Sequence, residues 1–86
     1  MKFRYSEHAI KELRRRLIPK EYADSILENP QQIVPDSNGN KVYQSKIDFG
    51  GGEFYLLRLF VNDKVDPSVV ITAYRTSKIE KYWGQK

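Results

Sequence analysis

The chain has 86 residues, 40% of them hydrophobic, with six Tyr, four Phe and one Trp. That is enough for one folded domain (residues 1–86) and too short for two with separate cores. The net charge of +4 favours acidic partners, and the absence of cysteine excludes disulfides, thiolate metal sites and thiol nucleophiles.

A charged N-terminus without an apolar leader core, and no apolar run near the roughly 18 residues a bilayer span needs, point to a cytoplasmic protein with no membrane partner. After a short apolar lead-in, Ser6 is placed to cap a helix running to about Arg16, with Ala9, Leu13 and Leu17 as its apolar stripe. Pro19 suits the first turn of a second helix, whose buried face is Tyr22, Ala23, Ile26 and Leu27 and whose end is Asn29-Pro30.

From Gln32 the pattern changes to strands. Ile33-Val34, the Asn38-Gly39 turn and a segment from about Lys41 to Asp48 read as a hairpin. Gly50-Gly51-Gly52 reads as a loop and not a phosphate cradle, because the lysine and following helix of a P-loop are missing.

A third strand, Glu53 to Asn62, is apolar on both sides, which argues for a central place in the sheet. Alternation puts Tyr55, Leu57, Leu59 and Val61 on one side and Phe54, Leu56, Arg58 and Phe60 on the other. A fourth strand from Ser68 to about Arg75 puts Val69, Ile71 and Ala73 on one face and Val70, Thr72 and Tyr74 on the other. Ser77 and Glu80 have capping-box spacing for a short final helix with Ile79, Tyr82 and Trp83 on its apolar side. The predicted architecture is α+β: two N-terminal helices packed on a curved antiparallel sheet of about four strands, then a short C-terminal helix.

Several side chains invite chemistry. His8, the single histidine, reads either as a surface residue of the first helical turn or as a proton-transfer group. Arg15 lies near it on a helical wheel, while Arg16 is turned by about 80° toward the apolar stripe and is expected against the domain. The run Arg14-Arg15-Arg16 reads as a solvated basic edge or as a phosphate-contacting strip. Arg58, flanked by Leu57 and Leu59, needs a partner, either a carboxylate such as Asp48 or Glu53 or a ligand. In the closing segment Tyr74 can stack on a base, Arg75 and Lys78 can neutralise phosphate, and Thr76 and Ser77 can donate to its oxygens. Equally, Thr76 and Ser77 can serve only as caps, with Tyr74 in the core. No metal motif and no cofactor motif is present, since the acidic residues are scattered and there is one histidine.

Tyr5-Ser6-Glu7-His8-Ala9 with Arg16, Leu27-Glu28-Asn29-Pro30, and Thr72 through Ile79 together resemble a bacterial, often cyanobacterial, domain family of unknown function. That family in turn resembles, remotely, RelE-type toxins and the barnase, EndoU and colicin ribonuclease group. The resemblance implies metal-independent RNA cleavage on the open face of a curved sheet, by attack of a 2′-hydroxyl on the adjacent phosphate. By position it implies catalytic roles for His8, Arg16, Thr72, Tyr74 and Lys78, to which strand alternation adds Arg58. His8 would be general base or acid and Tyr74 the alternative proton donor, while Arg16, Arg58 and Lys78 would stabilise charge and Thr72 would orient. Arg15, Arg75, Thr76 and Ser77 would hold the RNA. A small acidic antitoxin-like protein is the expected partner if the domain is a toxin; the alternative is a module that binds RNA or protein without cutting.

Overall fold

The computed structural model describes residues 2–84. The chain folds as β1 (Phe3–Tyr5), α1 (Glu7–Arg15), α2 (Lys20–Glu28), β2 (Gln32–Pro35), β3 (Lys41–Asp48), β4 (Phe54–Asn62), β5 (Ser68–Thr76) and α3 (Ile79–Tyr82). One open sheet holds the strands in the order β1-β5-β4-β3-β2.

The α+β class and the presence of two leading helices are as expected, and β4 is central. Two details are corrected: Leu17 lies past the end of α1 and is exposed instead of continuing its buried stripe, and Pro19 is the extended N-cap of α2 instead of lying in its first turn. The strand count is corrected from about four to five, and the sheet is mixed rather than antiparallel. The apolar lead-in is itself an edge strand, pairing Phe3–Tyr5 in parallel with Ser68, Val69 and Val70. Three residues carry too little periodicity to be recognised in sequence, and their partner lies more than sixty residues away.

α1 and α2 form because each carries an apolar stripe at helical spacing, Ala9 and Leu13 in the first and Ala23, Ile26 and Leu27 in the second, all buried. They cover one sheet face, where Tyr43, Leu57, Leu59, Val61, Val70 and Ala73 complete the core. α1 ends in a reverse turn in which Leu17 N–H donates to Arg14 and Ile18 N–H to Leu13, with Leu17 at a φ of 56°. Leu17 therefore sits in the left-handed region that glycine adopts without strain, and the residue is 77% exposed.

The hairpin turns at Asn38-Gly39, where Gly39 takes a φ of 84° and Asp36 and Asn40 close the turn. Gly50, Gly51 and Gly52 all have positive φ, and Phe49 and Glu53 bond across them.

A register shift between Phe60 and Val61 interrupts the β4–β5 ladder, so that Thr72 opposes Phe60 and Val70 opposes Val61. The extra residue turns Val70 onto the helix side, where it is fully buried. Strict alternation had placed Val70 with Thr72 and Tyr74; the bulge overturns that. The expected Ser77 cap is also corrected: Lys78 occupies the N-cap position of α3 without a side-chain bond, and Thr76 Oγ1 accepts the Lys78 N–H at 3.0 Å instead.

Candidate functional site

The face of the sheet away from α1 and α2 carries a polar row. Gln32 pairs with Gln44, Gln44 with Arg58, and Arg58 with Tyr74, so four strands place these residues side by side. Arg58 Nε donates to Gln44 Oε1 at 2.8 Å and Arg58 Nη1 to the Tyr74 hydroxyl at 2.8 Å. Gln44, fully buried, donates through Nε2 to Gln32 Oε1 at 2.8 Å and to the Tyr82 carbonyl at 3.1 Å. Val42 and Leu56, also on this face, are buried as well.

Arg58 found none of the carboxylates proposed for it. Among the described residues its guanidinium makes no ion pair, and it is enclosed by the rings of Tyr82, Phe60 and Tyr74 at 4.6, 5.4 and 5.7 Å. A cation held by aromatic faces and neutral acceptors keeps its full charge available to an anion.

The second cation on Tyr74 comes from α1. Ser6 ties the start of that helix to β5, donating its N–H to Val70 and its hydroxyl to Ile71, while its Oγ caps Ala9 N–H. α1 then runs along β5 and brings the Arg16 guanidinium to 5.9 Å from the Tyr74 ring. Of the two arginines that Glu12 binds, Arg16 is the better shielded, at 36% side-chain exposure against 64% for Arg15. Glu12 binds both, at 2.8 Å each, and these hydrogen bonds, Arg15's first and then Arg16's, hold its carboxyl at about 2, well below the ordinary value. Tyr82 is lowered too, first by the Lys81 ammonium, then by the neighbouring Tyr74 hydroxyl, with Arg58 contributing.

The proposed site residues are thus divided. Arg16, Arg58 and Tyr74 come together, with Thr72 and Thr76 on the same face of β5 at alternate positions. His8 is exposed, and its side chain makes no hydrogen bond among the described residues. It is turned about 80° around the helix from Arg16 and stands eight residues, or about 12 Å along the axis, from it. Ser77 and Lys78 are exposed in the turn after β5 and, with Ile79, Glu80 and Lys81, line an open depression of about 560 Å³ that includes no row residue. Arg75 lies on the other face, its guanidinium 4.4 Å from Phe49 and 4.7 Å from Tyr55, apart from the row.

Sequence reasoning missed Gln32, Gln44, Tyr82 and Trp83 as members of this site. The available signal was parity: Gln44 alternates with Tyr43 and Ser45, which puts it on the side opposite the core.

Residues 5–75 match a family model described as a domain of unknown function (DUF4258). The chain belongs to that family. The match takes in β2 through Arg75 of β5, and so the whole polar row, while α3 and the residues after it lie beyond the matched span. No curated protein and no solved structure matches the chain.

Proposed function

We propose that this member of the family is a metal-independent endoribonuclease whose RNA-binding surface is the polar row and the adjoining edge of α1. The observation that carries the reading is the Arg58 guanidinium: among the described residues it has no carboxylate partner, and it is boxed by aromatic rings and donates to the hydroxyl of Tyr74. An arginine so held is available to a phosphate, and aromatic rings beside it offer stacking to bases.

In this reading the RNA 2′-oxygen attacks the adjacent phosphorus, forming the 2′-O–P bond and breaking the bond to the 5′-oxygen of the next nucleotide. Tyr74 is the better-supported proton donor to that leaving oxygen, because the N–H of Arg58 already points at its phenolic oxygen and would stabilise the phenolate left behind. Arg16 and Arg58 neutralise charge gathering on the phosphoryl oxygens, and Thr72 orients one of them. His8 is the candidate base for the 2′-hydroxyl proton. Its place two turns from Arg16 favours a second reading, RNA binding without cleavage. The exposed cations around Arg15 suit a small acidic antitoxin-like partner in either case.

Incubation with an RNA oligonucleotide and with its counterpart carrying 2′-deoxy at the scissile position separates the two readings. Cleavage of the RNA alone, leaving a 2′,3′-cyclic phosphate and slowed about a hundredfold or more by Tyr74→Phe, is the expected result. Equal cutting of both substrates rules the mechanism out, and binding of both without cutting selects the second reading.

A further inference from the structure

The polar row is not vacant. Gly84 pairs with the Gln32 carboxamide through both of its backbone groups, its carbonyl accepting from Gln32 Nε2 at 3.1 Å and its N–H donating to Gln32 Oε1 at 2.9 Å. Two residues earlier the Tyr82 carbonyl accepts from Gln44, and the Tyr82 ring stands 4.6 Å from the Arg58 guanidinium. Between them the Trp83 ring lies 4.2 Å from the Lys46 ammonium. Three consecutive residues thus set a flat ring on each of two cations and an adjacent donor and acceptor on a carboxamide. An unpaired nucleotide offers the same combination: a π-face for a cation and, on its base edge, neighbouring donor and acceptor groups that a glutamine binds in bidentate fashion.

The attachment is light. α3 has four residues and no side-chain cap, and Gly84 is held by the side chain of Gln32 rather than by a strand ladder. It is also close, since a β-carbon on Gly84 would come within 2.8 Å of Val34 Cγ1. Only a residue without a side chain fits there undisturbed.

We infer that Gln32 and Gln44 are the base-reading part of the site, that its substrate is an unpaired RNA segment, and that Tyr82–Gly84 holds the place until RNA displaces it. The inference rests on the RNA-binding reading above. It adds which form of RNA is taken and what must leave first.

Trp83 is the single tryptophan, so its emission reports on the segment directly, while anisotropy of labelled RNA measures binding separately. Unpaired RNA is expected to bind and to change Trp83 emission, by quenching or a red shift; a duplex, its base edges already paired, is expected to do neither. Gly84→Val, which drives a branched side chain against Val34, is expected to bind unpaired RNA roughly fivefold more tightly by removing part of the competition. Gly84→Ala is expected to act in the same direction with a smaller effect, and the thermal midpoint of each variant monitors the fold. RNA that binds the native chain and Gly84→Val equally, with Trp83 emission unchanged, overturns self-occupancy and leaves the RNA reading standing. Equal binding of duplex overturns base reading. No binding by any of the three chains overturns both the inference and the reading beneath it.

Discussion

The two faces of the sheet are made from the same strands by the same alternation, yet they are closed in different ways. Under α1 and α2, Leu57, Leu59, Val61, Val70 and Ala73 are sealed by two amphipathic helices. On the opposite face the residues between them, Gln44, Arg58 and Tyr74, form hydrogen bonds to one another beneath a four-residue helix and its tail. The difference assigns separate tasks: the helix side buries most of the apolar core, while the other side, which buries Val42 and Leu56 as well, adds directional polar contacts that leave a charged group ready for a ligand. A small domain with one modest core can place both on a single sheet because side chains alternate.

The sharpest way to break this division is to substitute neighbours in β4. Leu59→Ala is expected to cost about 2–5 kcal/mol in denaturant unfolding, because it opens a cavity under the helices. Arg58→Met should cost less, on the order of 1–3 kcal/mol for the acceptors it leaves unpaired on Gln44 and Tyr74, and should remove RNA binding. If Arg58→Met unfolds the chain as readily as Leu59→Ala, the row is a second core and not a site.

A smaller effect of opposite sign is expected on the helix side. Leu17 is exposed and left-handed, so Leu17→Gly should relieve the backbone at no packing cost and stabilise the fold by about 1 kcal/mol in the same unfolding measurement. RNA binding should be unaffected.

The smallest expected effect concerns Glu12, which stands between the two regions through its bond to Arg16. Its folded carboxyl titrates at about 2 against an ordinary value of 4.5, so its contribution is complete above 4.5 and is lost as pH falls through about 2. Thermal midpoints measured across that interval should fall more steeply for the native chain than for Glu12→Gln. Parallel curves would mean that the two arginines are not held by this carboxylate in solution.

Sequence revealed the helix side more fully than the row, and the reasons are physical. The stripes Ala9-Leu13 and Tyr22-Ile26 are local patterns, and Asn38-Gly39 and the glycine run mark turns whatever the tertiary context. Alternation within each strand grouped Arg58 with Phe60 and Thr72 with Tyr74, and the register between β4 and β5 then set the two groups on one face. Gln32 and Gln44 gave no comparable sign, because a glutamine in a strand becomes informative only when the register sets it beside an arginine. The bulge that turns Val70 inward, the parallel pairing of β1, and the face chosen by α3 all depend on contacts distant in sequence. His8 shows the converse: a suggestive residue type whose two-turn distance from Arg16 was legible in the helix spacing, while its exposure and lack of a hydrogen-bond partner among the described residues came only with the fold.

The ends of the sheet carry a consequence of their own. Its outer strands are β1, three residues long, and β2, four residues long and finished by Pro35, which has no N–H to offer a neighbour. β5, the longer strand beside β1, has α1 running along it. Another chain seeking to add a strand meets only brief, interrupted templates, so the fold discourages edge-to-edge aggregation through its geometry, without needing a charged residue at every edge position.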